Sequence, residues 1–120
     1  KAIIDGLRAR GVTVPIIGFP RGAKNRYVDF AKEAGVQALS IDQDINLSSV
    51  ISDLPDTIVS QGNLDPLCLI DGGGKMFSQV DEIIEATRGR RHIFNLGHGI
   101  TQHTPPQNVS DLVNYIRNKG

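Results

Sequence analysis

Short β-branched runs alternate with apolar residues at three- and four-residue spacing along this chain, and the alternation predicts its elements in order. Ile3, Ile4 and Leu7 share one helical face and mark the end of a helix, which Gly11 stops. Val14 to Phe19 is a continuous apolar run that predicts a buried strand, broken by Pro20-Arg21-Gly22-Ala23. Tyr27, Val28, Ala31 and Ala34 recur at helical spacing, with Gly35 placed to close that helix in the left-handed conformation. Val36 to Ile41 predicts a second strand with Asp42-Gln43-Asp44 as its exit, followed by the stripe Leu47, Val50, Ile51 and Leu54. Thr57 to Ser60 predicts a third strand leading into the loop Gln61-Gly62-Asn63-Leu64-Asp65-Pro66. Met76, Val80, Ile83, Ile84 and Thr87 keep a 3.6-residue period, and Arg91 to Leu96 predicts a fourth strand ending in Gly97-His98-Gly99. The last helix starts at Thr104-Pro105-Pro106-Gln107, where a hydroxyl N-cap, an early proline and a glutamine predict a capping box. Val109, Leu112, Val113 and Ile116 form its apolar face.

Four consecutive β/α units without hairpin signals imply parallel strands joined by right-handed crossovers. No linker or low-complexity tract interrupts them, so residues 1–120 are expected to form one structural unit. A full eight-fold β/α barrel needs about 250 residues, so the expected fold class is α/β, with four units making half of a TIM (β/α)8 barrel. Such a half has two open sheet edges and a half-exposed apolar interior. It is expected to pair with the missing half or with another copy of itself. The chain opens at Lys1 directly in a helical pattern, as a piece excised from something longer would.

Composition narrows the partners. Thirteen basic residues balance thirteen acidic ones, which leaves no net field to attract nucleic acid or an anionic membrane surface. Arg88, Arg90 and Arg91 form a local basic cluster whose simplest reading is a solvated helix end. The single cysteine, Cys68, has no internal disulfide partner. No run approaches the ~20 apolar residues of a membrane span, and nothing reads as a signal peptide. A cytoplasmic location is the expectation.

In β/α barrels the chemistry sits at the C-terminal ends of the strands. Here those ends carry Arg21, Asp42, then Gln61, Asn63 and Asp65, and finally Asn95 and His98. Glycines at 62, 97 and 99 permit close approach of backbone to a ligand. Each polar residue also has a structural reading. Asp42 and Asp65 can cap the helices that follow; Asn63 and Asn95 can tie loops together through backbone groups; Arg21 can form a surface ion pair. His98, between two glycines, is more open to a ligand than a packed histidine. His92, at the start of a strand, and His103, in a loop, are weaker candidates. Cys68 alone gives no metal-ligating set, and Gly72-Gly73-Gly74-Lys75 lacks the spacing of a phosphate loop and reads as a flexible lead into a helix.

Four segments, in order, carry a family resemblance: Ile16-Ile17-Gly18-Phe19-Pro20-Arg21-Gly22-Ala23, Gln61-Gly62-Asn63-Leu64-Asp65-Pro66, Asn95-Leu96-Gly97-His98-Gly99-Ile100 and Thr104-Pro105-Pro106-Gln107-Asn108-Val109. Together they resemble uroporphyrinogen decarboxylase of the bacterial type over essentially the whole chain, as its C-terminal half. The resemblance implies a single (β/α)8 barrel that works without a cofactor or metal and forms a homodimer. It implies removal of carbon dioxide from the four acetate side chains of uroporphyrinogen III, giving coproporphyrinogen III. It matches His98 to the family's active-site histidine and places Arg21, Gln61, Asn63 and Asn95 along the same cleft. The family's essential aspartate, with a key arginine and tyrosine, belongs to the N-terminal half, so the isolated chain is expected to be inactive. The family commonly has a tryptophan after the strand-two aspartate, where this chain has Gln43 after Asp42.

Two other readings share the fold. A corrinoid-linked methyltransferase would need a His-x-Cys and a later cysteine for zinc, which Cys68 alone does not supply. A non-catalytic half barrel that self-associates or binds anionic tetrapyrroles is the third.

Overall fold

A computed structural model describes residues 1–119. Four parallel strands form one sheet in chain order, β1 (Ile17–Gly18), β2 (Ala38–Ser40), β3 (Val59–Leu64) and β4 (His92–Leu96). Consecutive parallel neighbours with a helix in each crossover are the arrangement that the alternating pattern predicts. The main helices are α1 (Ala2–Ala9), α2 (Tyr27–Ala34), α3 (Leu47–Asp53), α4 (Cys68–Asp71), α5 (Gly73–Ala86) and α6 (Pro106–Lys119), with a short 3-10 turn at Lys24–Arg26. Helix α2 ends where its apolar stripe ends, at Gly35 with φ of 77°.

The register separates the two faces of the sheet. Gly18, Leu39, Ser60 and His92 stand side by side in one row. That row faces the helices: Leu39 and Ser60 are wholly buried, and Met76 and Val80 of α5 complete the packing. The next row, Ser40, Gln61 and Ile93, points the other way, and no helix among the described residues covers it. Ile17, Phe19 and Ile93 are 49%, 42% and 43% exposed there. The open apolar interior expected of a partial barrel is therefore present. Helix α1 buries no residue, and Arg8 at its end ties it down by donating to the carbonyls of Val12 and Val14 and to Gln37 Oε1.

Four local expectations change. The third strand runs to Leu64, so Gln61, Gly62 and Asn63 belong to it rather than to an exit loop, with a cis peptide between Gly62 and Asn63. Gln61 is held extended by strands on both sides and Gly62 and Asn63 by β4, with the Asn63 side chain tied to the β2 exit. The first strand is only two residues long. Gly73 and Gly74 lie inside α5 instead of leading into it, and the four-residue α4 precedes them. The capping box does not form. Thr104 Oγ1 pairs with Thr101 Oγ1 at 3.2 Å, and Gln107 Nε2 donates to Asp111 Oδ1 at 2.8 Å.

What anchors the start of α6 is Asn108, whose Nδ2 donates to the carbonyls of Leu69 and Ile70 at 2.7 and 3.1 Å. It satisfies carbonyls at the end of α4 that the short helix cannot. The three arginines of the basic cluster are tied structurally. Arg88 pairs with Glu85, Arg90 with Asp56 and the Leu54 carbonyl, and Arg91 with the Asp56 carbonyl. No helix among the described residues is long and apolar enough to cross a membrane.

Candidate functional site

The C-terminal ends of the four strands bring Arg21, Asp42, Asp65 and His98 to one rim of the sheet. Asp42 is buried, and its Oδ2 lies 3.8 Å from Nε of the exposed Arg21. Its other oxygen accepts from the Gln43 amide at 3.1 Å. The carboxylate thus holds Arg21 at the rim with most of the guanidinium facing solvent, a placement suited to a bound carboxylate. Beneath it the Tyr27 ring is buried, its hydroxyl beside the backbone of Asp42 and Gly22 without a well-formed hydrogen bond. Burial raises the Tyr27 phenol above its ordinary value.

Asn63 is buried, and its Nδ2 donates to the carbonyls of Asp42 and Ile45 at 3.2 and 2.9 Å. It ties the β2 exit to β3. Gln61 lies on the open face, where Nε2 donates to Ser40 Oγ at 3.2 Å. Asn95 is exposed beside it in β4 and accepts from the Leu96 amide at 2.8 Å. Asp65 accepts from the Leu67 amide at 2.9 Å and so shapes the turn into α4. Clefts of about 570 and 470 Å³ flank this rim. The first is polar and lies between α3 and α5, lined by Asn63, Asp65, Lys75 and Gln79; the second is lined by Gly22, Lys24, Asp42 and Asp44. Neither lies over the open face, where Gln61 and Asn95 stand.

His98 is half-exposed just beyond β4, with Nδ1 3.0 Å from the Gly99 carbonyl. A carbonyl only accepts, so Nδ1 carries a hydrogen and the neutral ring presents Nε2 as its free acceptor. Protonated, the same nitrogen becomes a donor that can hold a carboxylate.

The other histidines stand apart. His103 is exposed and within 3.4 Å of Gln102. His92 lies at the opposite end of β4, on the helix-covered face. Its Nδ1 is 2.8 Å from Ser60 Oγ, its Nε2 is buried without a well-formed partner, and burial lowers its pKa. Burial, and secondarily Asp65, pushes the Cys68 thiol up to about 11, which leaves it an inert core residue. Among the described residues no three His, Cys, Asp or Glu side chains cluster in a way that could hold a metal ion.

Sequence reasoning marked Gln43 only as a departure from the family's tryptophan and did not foresee its contact with the β4 exit. Its Oε1 is buried against Gly97, where a Cβ would come within 2.7 Å of it. The signal available was the glycine beside His98, and its partner is distant in sequence.

Comparison with known proteins agrees along the whole length. The family model described as uroporphyrinogen decarboxylase (URO-D) matches residues 1–119. The chain is 44% identical over 119 residues to the uroporphyrinogen decarboxylase of Maricaulis maris, covering 99% of this chain and 34% of that protein. It is 46% identical over 118 residues to that of Hyphomonas neptunium, covering 98% and 34%. It is 41% identical over 117 residues to that of Gluconacetobacter diazotrophicus, covering 98% and 33%. The chain spans about a third of the length of these curated relatives.

Proposed function

The chain belongs to the uroporphyrinogen decarboxylase family, and from that premise we propose that it forms one wall of the substrate cleft of such an enzyme. The whole enzyme decarboxylates the four acetate side chains of uroporphyrinogen III to give coproporphyrinogen III, in the cytoplasm. Residues 1–120 act as one unit within its barrel.

A pyrrole acetate loses carbon dioxide readily once its ring is protonated, because the cationic ring accepts the electrons left by the departing carboxyl group. The reaction needs a proton donor, a group that stabilises the cationic ring, and groups that hold the substrate's carboxylates. His98 and Arg21 serve the last need, as rim cations or hydrogen-bond donors. Gln61 and Asn95 face the substrate from the open face, and Asn63 supports the rim from behind by fixing the loop that carries Asp42. The acid lies in a segment outside these 120 residues, so the chain alone does not turn over substrate. The open face with Ile17, Phe19 and Ile93 is where that segment packs, and the assembled enzyme is a homodimer.

The observation that carries this reading is His98 at the end of β4, half-exposed, with Nδ1 committed to Gly99 and Nε2 free. It is tested by turnover of uroporphyrinogen III in the full-length enzyme. His98→Asn is expected to lower kcat/KM by about 10- to 100-fold, the loss of a hydrogen bond to a charged group. Unchanged kinetics on all four acetates would return His98 to a structural role.

A further inference from the structure

The β4 exit, which carries His98, is held from two sides. The Gly97 amide donates to the Leu64 carbonyl of β3 at 2.8 Å. On its other flank Gly97 lies against Gln43, at the exit of β2. A Cβ built at position 97 would stand 2.7 Å from both Cβ and Oε1 of Gln43 and closer still to its backbone nitrogen. No real side chain tolerates such contacts: the backbone nitrogen and Cβ at position 43 exclude one, and Oε1, the part the glutamine side chain adds, closes the space from the far end. Gln43 is itself fixed: its amide donates to Asp42 Oδ1 at 3.1 Å, and Asp42 pairs with Arg21. The contacts thus run from Arg21 through Asp42 and Gln43 to Gly97, and the next residue is His98.

From this contact we infer that Gln43 is a positioning residue for His98, a wedge behind Gly97 that sets where the imidazole stands relative to the β2 exit. The inference deepens the reading of His98 given above and rests on it for its catalytic meaning. Oε1 of Gln43 is buried with no hydrogen-bond partner among the described residues. The wedge therefore acts by its volume rather than by a polar contact. A side chain of the same length without the amide does the same work; a short one does not.

The experiment is NMR of the full-length protein with ring-¹⁵N histidine, whose shifts report which imidazole nitrogen carries the proton. In the natural protein His98 is expected in the Nδ1–H form, held by the Gly99 carbonyl. Gln43→Ala is expected to abolish that preference, leaving a mixture of tautomers, while the signals of His92 and His103 stay in place. Gln43→Met is expected to keep the natural His98 signature. Gly97→Ala is expected to lose it as Gln43→Ala does, and because neither Gln43 variant adds atoms at the contact, the test stands even if Gly97→Ala fails to fold. Unchanged His98 signals in Gln43→Ala would overturn the inference. So would a change shared equally by His92, which would make Gln43 a support of the sheet at large. Turnover of His98→Asn tests the role of His98, and the ring signals test Gln43, so each can fail alone.

Discussion

The two faces of the sheet use the same strands for opposite ends. On the covered face, Leu39, Ser60 and Leu64 are shut away beneath the helices, with Met76 and Val80 of α5 wholly buried. On the other face, one residue along in each strand, Ile17 and Ile93 lie bare beside Gln61 and Asn95. A one-residue step flips a side chain to the opposite face, so sequence alternation decides which residues fold the chain and which await a neighbour. The covered face is complete in these residues; the open face is not.

The largest expected effect tests that asymmetry directly. Met76→Ala removes a fully buried side chain and leaves a cavity, which should destabilise by about 2–5 kcal/mol. Ile93→Thr keeps a β-branched residue on the open face and should change stability by no more than about 0.5 kcal/mol in the 120-residue chain. Urea unfolding of the two variants checks the comparison. Equal shifts of the midpoint would mean that the open face is already part of the folded core.

The next effect compares the two histidines of β4. His92 sits on the covered face with its pKa lowered by burial, so the fold prefers its neutral form. The unfolded chain, with a histidine pKa near ~6.5, binds more protons in that region, so stability must rise with pH there. This contribution is fully present above about pH 6.5 and lost as pH falls below that through the lower folded-state value. The exposed Asp81, whose carboxyl is lowered by hydrogen bonds from Lys119 and Tyr115, loses its contribution only in the more acidic range below its ordinary value of 3.8. Unfolding curves between pH 7.5 and 5 should therefore show a decline that His92→Gln flattens. A decline unchanged by that substitution would assign the titration elsewhere.

The sequence made the covered face readable and the rim only partly so. Apolar periods placed α2, α3, α5 and the strand order, because burial forces those residues to repeat at the spacing of the element. Gly35 closes α2 as its position implied. The extent of β3 was not readable, since Gln61, Gly62 and Asn63 have no strand preference of their own and are held extended by pairing with β4, joined at Gln61 by β2. Helix α4 is too short to show a period. At the rim, Arg21 and His98 were legible as polar residues at strand ends. The contact of Gln43 with Gly97 was not, because it joins loops that come together only when the sheet has formed.

The smallest expected effect concerns how α6 is fastened to the covered face. A capping box would make Thr104 worth about 1 kcal/mol to the helix. In the structure Thr104 is occupied with Thr101, and Gln107 reaches forward to Asp111. The start of the helix is instead held across space, by Asn108 on the carbonyls that end α4. Sequence-local chemistry is thus displaced by a tertiary contact that two prolines place within reach. Thr104→Ala should then shift stability by no more than about 0.5 kcal/mol, as at an ordinary surface position. A loss near 1 kcal/mol in the same urea titration would show that Thr104 caps α6 in solution, and the fastening of this helix would then be local after all.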